Sequence, residues 1–131
     1  MNSSPLTFYG IGSAYVYDMV EVARRAQVEV AAFIDNMRPG GIYPSLDPVL
    51  HVDECEQDIR SIPTLLPLVT PGHRRLLSQQ LQAQGFAAPG ILVDPTAILP
   101  AAVEFGAGFQ VNAGVVIGAN AVILGNTHAT D

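Results

Sequence analysis

The chain has 131 residues, of which 49% are hydrophobic and 14% charged, and its formal net charge is −6. This composition excludes an intrinsically disordered chain, and the length accommodates one or two small domains. All six basic residues are arginines, set against twelve acidic residues, so the chain lacks the clustered cations with which proteins bind nucleic acid.

The first 36 residues predict a strand, a helix and a second strand. Residues 6–10 form a short apolar run that ends at a glycine, and residues 13–27 carry apolar side chains at helical spacing. Residues 28–34 form a second apolar run, closed by Asp35 and Asn36. Strands joined through a helix usually run parallel, so this unit predicts the α/β class with a parallel sheet.

The following stretch predicts fewer regular elements. Residues 37–62 are rich in proline and glycine and predict mostly loop, with a short strand near residues 49–52. Residues 65–69 predict another buried strand. A helix is predicted to follow as far as about residue 84, with Thr70 as its N-cap and a proline as its first residue.

After residue 90 the spacing of the large apolar residues changes to six. These anchor residues are Val93, Leu99, Phe105, Val111, Ile117 and Ile123. Neither a helix nor an alternating strand has this period, which is typical of hexapeptide repeats in a β-helix, where each hexapeptide forms one side of a triangular coil. The alternative is a glycine-rich antiparallel sheet. The change of period predicts a boundary between residues 1–89 and residues 90–131.

The loop after the first predicted strand is a candidate binding site. Gly10, Ile11, Gly12 and Ser13 lie between a strand and a helix N-terminus, where free N–H groups and the helix dipole favour a phosphate. The third glycine of a dinucleotide fingerprint would fall at Tyr15, which disfavours NAD but leaves room for the diphosphate of a nucleotide sugar. The alternative is a tight turn that binds no ligand.

The end of the second predicted strand offers two further candidates, Asp35 and its neighbour Asn36. Asp35 stands 23 residues after Gly12, where an acidic side chain often accepts hydrogen bonds from a ribose or a base. The alternative is an aspartate that only shapes the turn.

A second strand-to-helix junction is predicted at the same edge of the sheet. Its candidate binding residues are Thr70, Gly72 and Arg74, and Arg74 or Arg75 could donate two hydrogen bonds to a phosphate. The alternative is a first helical turn that faces solvent, and His73 is predicted to be a surface residue.

The remaining reactive residues predict neither a metal site nor a covalent catalyst. Cys55 is the single cysteine, so it forms no internal disulfide, and its acidic neighbours make it a poor nucleophile. His51 is predicted to be structural or exposed. The N-terminus has no signal-peptide pattern and no apolar run reaches the roughly 18 residues of a membrane span, so we expect a cytoplasmic protein without membrane insertion.

Four features, in their order along the chain, together resemble one enzyme family. They are Gly-x-Gly at residues 10–12, Phe-Ile-Asp at 33–35, Thr-Pro-Gly-His-Arg-Arg at 70–75, and the hexapeptides that follow. The chain resembles the family of bacterial sialic acid O-acetyltransferases and nucleotide-amino-sugar N-acetyltransferases over its whole length.

The resemblance implies a fold, a reaction and an assembly. Its members join a small Rossmann-like domain to a left-handed parallel β-helix, so we expect a nucleotide-sugar-binding domain over residues 1–89 and the first coils of a β-helix over residues 90–131. Further implications are acetyl-CoA as the co-substrate, a homotrimer, and transfer of acetyl to an amine or hydroxyl of a nucleotide-linked sugar for bacterial surface glycans. A histidine would act as general base, without an acyl-enzyme.

The last residues depart from the pattern of the family. Its catalytic histidine stands on a later coil, in a segment of the form Asn-Thr-Gly-x-x-x-x-His, whereas residues 126–131 read Asn-Thr-His-Ala-Thr-Asp. His128 is a candidate for the base at a different position, and the matching histidine and the acetyl-CoA cleft are expected beyond Asp131. Because β-helices need about three repeats to bury a core, we expect further coils in the natural protein.

A different class of function stays open at this point. The chain could be a non-catalytic module that binds a nucleotide sugar and lacks the acyl-transfer site. That hypothesis predicts nucleotide-sugar binding without acetyl-CoA binding. An NAD-dependent oxidoreductase is disfavoured by Tyr15 and by the hexapeptides.

Overall fold

The computed structural model describes residues 4–37, 40–68, 71–87, 89–99, 110–115 and 128–129. Its strands are β1 (Leu6–Tyr9), β2 (Val30–Asp35), β3 (Val49–His51), β4 (Thr64–Leu65), β5 (Leu92–Val93), β6 (Gln110–Val111) and β7 (His128–Ala129). Its α-helices are α1 (Tyr15–Arg25), α2 (Gln57–Arg60) and α3 (Pro71–Ala83), and Val52–Glu54 forms a 3₁₀ turn.

Strands β1 to β4 form the main sheet, in the order β3-β2-β1-β4, and all of them run parallel. The chain builds outward from β1 through β2 and β3, and then places β4 on the other side of β1. Ligands of open parallel sheets bind outside the carboxyl ends of the strands, where the strand order reverses in this way. The predicted α/β class with a parallel sheet is therefore confirmed, and the strand order reverses beside β1.

Helices cover both faces of the main sheet. Phe8 belongs to a core that includes Met19 of α1, whereas the next residue, Tyr9, belongs to a core that includes Leu81 of α3. Successive side chains of a strand point to opposite faces, so β1 is buried on both sides. This explains why its sequence is an almost continuous apolar run.

The predicted elements are confirmed with shorter bounds. Helix α1 buries Val16, Met19, Val22 and Ala23, which share one face at helical spacing. It ends at Arg25 because Gln27 has a φ of 58°, a left-handed conformation. The prediction of mostly loop over residues 37–62 missed the 3₁₀ turn and α2. None of the described helices is long and apolar enough to cross a membrane.

The strands after residue 90 pair in parallel with a constant offset. Leu92 pairs with Gln110, and Gln110 pairs with His128, so neighbouring strands lie eighteen positions apart in sequence. The antiparallel alternative is therefore wrong for these strands. The anchor Val111 is fully buried, whereas Phe105, Ile117 and Ile123 lie outside the described residues.

The segment from residue 89 to residue 99 packs directly on the main sheet and α1. Leu92 belongs to the same core as Phe8, and the guanidinium of Arg25 lies 2.6 Å from the carboxylate of the fully buried Asp94. Burial raises the pKa of Asp94, but hydrogen bonds from Thr96 and the pairing with Arg25 outweigh it and hold the pKa below its usual range. A half-buried ion pair thus joins the two parts of the chain.

Candidate functional site

A cleft of about 450 Å³ opens at the carboxyl edge of the main sheet. Its walls come from the β1–α1 loop, the end of β2, the segment after β4, and α3. The lining residues are Gly10, Gly12, Ser13, Asn36, Met37, Leu68, His73, Leu76 and Leu77. This volume lies in the range of pockets that hold small-molecule and cofactor ligands.

Gly10 is required by the local backbone and by its neighbour across the cleft. Its φ is +80°, and a Cβ atom added there would lie 2.6 Å from Cδ1 of Leu77. Its N–H donates to the carbonyl oxygen of Ile34 in β2, which anchors the loop to the sheet edge. Ile11 points inward and is buried in the core, so it supports the loop instead of lining the cleft.

The rest of this loop presents its backbone to the cleft. In the described part of the chain, no atom beyond the two sequence neighbours lies within 4 Å of a Cβ added at Gly12. Among the described residues, the N–H groups of Gly12, Ser13 and Ala14 donate to no protein acceptor. They stand directly before α1, whose dipole is positive at this end, so the loop is suited to bind an anion.

The two candidate residues at the end of β2, Asp35 and Asn36, have different positions relative to the cleft. Asp35 is buried, and its carboxylate accepts hydrogen bonds from the N–H of Met37 at 2.9 Å and of Gly41 at 3.1 Å. It thereby shapes the loop after β2 and does not line the cleft. Asn36 does line the cleft, and its amide nitrogen donates to Gln80 of α3 at 3.3 Å.

The second junction is built differently from the prediction of an exposed cation. Arg74 is buried, and its Nη1 donates to the carbonyl oxygens of Leu66 at 2.8 Å and Leu68 at 2.9 Å. Burial lowers the pKa of this guanidinium, and the nearby Tyr15 opposes that shift. The side chain braces the segment after β4 and is absent from the residues that line the cleft.

The other residues predicted at this junction are spread apart. Thr70 lies outside the described residues. Gly72 is exposed in the first turn of α3 but does not line the cleft, and Arg75 is also exposed. His73, predicted to be a surface residue, is exposed and lines the cleft as well.

The apolar wall of the cleft was missed by sequence reasoning. It consists of Met37, Leu68, Leu76 and Leu77. Spacing contains a partial signal, because residues three and four positions after His73 share its face of a helix. Met37 and Leu68 lie in irregular segments, where no period indicates which way a side chain points.

The remaining candidates lie elsewhere in the fold. His51 caps the 3₁₀ turn by accepting from the N–H of Asp53, and the thiol of Cys55 is buried, which raises its pKa. His128 lies in β7, and its side chain falls outside the description. Within the described part of the chain, no group of three or more His, Cys, Asp or Glu side chains is placed to hold a metal ion.

Comparison with known proteins shows the fold through solved structures alone. No family model and no curated protein matches the chain. The acetyltransferase domain of PglB from Neisseria gonorrhoeae, in complex with acetyl coenzyme A, has a TM-score of 0.75 and 18% identity, covering 99% of this chain and 62% of that one. A mutant of GDP-perosamine N-acetyltransferase from Caulobacter crescentus, in complex with CoA and GDP-perosamine, has a TM-score of 0.78 and 22% identity, covering 95% and 59%.

PerB from Caulobacter crescentus, in complex with the same two ligands, has a TM-score of 0.73 and 21% identity, with 92% of this chain and 57% of that chain covered. The chain therefore has the fold of these acetyltransferases. It spans about three fifths of their length.

Proposed function

We propose that this chain provides the nucleotide-sugar site of an acetyltransferase, which moves an acetyl group from acetyl-CoA to an amine or hydroxyl of a nucleotide-linked sugar. The observation that carries the proposal is the cleft beside β1, in a fold shared over nearly the whole chain with acetyltransferases of solved structure. One of these was solved with GDP-perosamine, a nucleotide sugar.

The cleft divides into a polar end and an apolar wall, as a nucleotide requires. The diphosphate would accept hydrogen bonds from the N–H groups of Gly12, Ser13 and Ala14, with the α1 dipole favouring its charge. The nucleoside would lie along Met37 and the leucines of α3, and Asn36 would offer its amide to the base or ribose. Asp35 and Arg74 would act indirectly, by shaping the walls.

Further parts of the proposal concern architecture. We propose a Rossmann-like nucleotide-binding domain over residues 1–89 and the first coils of a left-handed β-helix over residues 90–131. The strand order around β1 supports the first, and the eighteen-residue offset supports the second, since it equals three hexapeptides. A homotrimer and a cytoplasmic location complete the proposal, by resemblance to the family of nucleotide-amino-sugar N-acetyltransferases.

The proposed reaction is direct acetyl transfer. The acceptor nitrogen or oxygen attacks the thioester carbonyl of acetyl-CoA and forms the new bond, a histidine takes the acceptor's proton, and CoA leaves as the thiol after protonation. Two of the Caulobacter structures carry a variant with a single histidine replaced, which supports a histidine in this role. We assign neither the base nor the acetyl-CoA site to a described residue.

The first test is calorimetric titration of the chain with UDP, GDP and acetyl-CoA, alongside an assay of CoA release by the protein from its natural host. We expect one nucleotide to bind, and its amino-sugar derivative to support CoA release. Nucleotide binding without acetyl-CoA binding or CoA release in either form would favour the non-catalytic module. Failure to bind any nucleotide would overturn the proposal.

A further inference from the structure

Residues 110–112, called the coil segment below, place two side chains against the two loops that border the cleft. Gln110 of β6 is buried, and its Nε2 donates to the carbonyl oxygen of Leu66 at 2.7 Å. Asn112 accepts a hydrogen bond at its Oδ1 from the hydroxyl of Tyr15 at 2.6 Å. Alternate residues of an extended chain point to the same side, so one side of residues 110–112 spans both loops.

The first of these contacts bears on the wall after β4. The carbonyl oxygen of Leu66 also accepts hydrogen bonds from Nη1 of Arg74 at 2.8 Å and from the N–H of Leu68 at 2.9 Å. Leu68 lines the cleft. A side chain from the coil segment therefore meets the same atom that orients this part of the cleft wall.

The second contact bears on the loop proposed to hold the diphosphate. The N–H of Tyr15 donates to the hydroxyl oxygen of Ser13 at 3.2 Å, and Ser13 lines the cleft. The other end of Tyr15 reaches Asn112. One residue at the start of α1 thus contacts the cleft loop through its backbone and the coil segment through its hydroxyl.

We propose that Tyr15 and Gln110 are positioning residues that couple nucleotide binding in the cleft to the placement of coil residues 110–112. The inference rests on the proposed function, because it takes a nucleoside diphosphate as the ligand. Bracing from the coil holds both loops in the arrangement that binds the nucleotide. Because such coupling is reciprocal, the bound nucleotide holds the coil segment in return.

The chain offers a matched control for this inference in the same helix. Tyr17 lies two residues after Tyr15, and its hydroxyl donates to the carbonyl oxygen of Pro44 at 2.8 Å, away from the coil segment. The variants Tyr15→Phe and Tyr17→Phe each remove one hydroxyl, which donates to Asn112 in Tyr15 and to Pro44 in Tyr17. UDP and GDP are the titrants. We expect Tyr15→Phe to lower the affinity for whichever of the two binds by about fivefold, which is the equivalent of one hydrogen bond. Tyr17→Phe should change its affinity less than about twofold.

A second variant approaches the same hydrogen bond from the other side. Asn112→Ala should weaken nucleotide binding to the same extent as Tyr15→Phe. The double variant should be no weaker than either single variant, because both remove one interaction. Additive losses would contradict a shared contact and overturn the proposal.

Hydrogen exchange separates coupling from general stability. Saturating nucleotide should slow amide exchange over residues 110–115 in the wild type and in Tyr17→Phe, but not in Tyr15→Phe. If the hydroxyl of Tyr15 had only a structural role, Tyr15→Phe would lower the melting temperature, and saturating nucleotide would still slow amide exchange over residues 110–115. Equal affinity and equal protection in Tyr15→Phe would overturn the inference alone, whereas a wild type that binds neither nucleotide would overturn the proposed function with it.

Discussion

The β1–α1 and β4–α3 junctions resemble each other in sequence, yet they offer different chemistry to the cleft. Both follow a buried strand at the same edge of the sheet, and both carry a glycine close to the start of a helix. At the first junction, no acceptor from the residues that the structure describes pairs with the N–H groups of Gly12 and its neighbours. The second turns its cation, Arg74, inward onto carbonyl oxygens of its own chain.

This difference shows that a cation in the first turn of a helix is not by itself an anion site. A buried guanidinium needs hydrogen-bond acceptors, and the carbonyl groups of Leu66 and Leu68 supply them at the end of β4. Gly12 has no side chain and no neighbour covering it, so its backbone stays accessible. Four pairs of variants, each with its control, test this comparison.

The largest effect on stability is expected at Gly10, in the turn of the β1–α1 junction. Gly10→Ala should lower the free energy of unfolding by about 3 kcal/mol, chiefly because of the positive φ at this position, while Cδ1 of Leu77 would also have to move aside. Chemical denaturation monitored by circular dichroism would measure this change. Gly12→Ala is the matched control, with an expected change under about 0.5 kcal/mol, and equal losses in both variants would contradict the assignment.

The next largest effect on stability is expected at the β4–α3 junction, where Arg74 is buried. Arg74→Met should lower the free energy of unfolding by about 2 kcal/mol, since it removes the donor to the carbonyl oxygen of Leu68 and one of the three donors to that of Leu66. The same change at the exposed Arg75 should have little effect on denaturation. If Arg75→Met weakened nucleotide binding strongly while Arg74→Met did not, the cation of this junction would belong to the site after all.

The contribution of Arg25 to stability should depend on acid pH, unlike that of Arg74, because the partner of Arg25 is a carboxylate. The pKa of Asp94 is lowered in the folded chain, so the pair with Arg25 contributes stability above the usual aspartate range. That contribution is lost as the pH falls below about 4 and through the lowered pKa of Asp94.

Asp94→Asn should cost about 2 kcal/mol at neutral pH and remove this part of the acid dependence. Thermal unfolding between pH 7 and pH 3 would measure it, with Asp58→Asn in the exposed α2 as control. Arg74→Met should leave the acid dependence in place, because the carbonyl partners of Arg74 do not titrate. An unchanged pH profile in Asp94→Asn would show that the ion pair contributes nothing.

The smallest effect on stability tests binding alone. Gly12→Ala places a methyl group beside the proposed diphosphate and should weaken binding of UDP or GDP by about fivefold, with little change in unfolding. Gly72→Ala is the comparison, because Gly72 also has open space around it but does not line the cleft. Calorimetry of both variants would reveal whether the β1–α1 junction or the β4–α3 junction contacts the ligand.

Most of the elements of the main sheet were predictable because their signals are local and repeated. The apolar runs of β1 and β2 and the buried face of α1 follow from period alone, whereas α2 spans four residues, too few to show one. For the candidate site, position was predictable and orientation was not. Asp35 stands where expected, yet its carboxylate accepts hydrogen bonds from the N–H groups of Met37 and Gly41 in the loop after β2 and does not line the cleft.

By itself, the sequence determined the α/β class, the parallel direction of the strands and which strand-to-helix loops meet at one edge of the sheet. These depend on apolar periods and on glycine, which act within a few residues. Only the tertiary structure decided that Arg74 is buried, that Leu77 closes on Gly10, and that Tyr15 reaches Asn112. Such contacts join residues far apart in the chain, so their partners exist only after the main sheet, the helices and strands β5 to β7 have packed together.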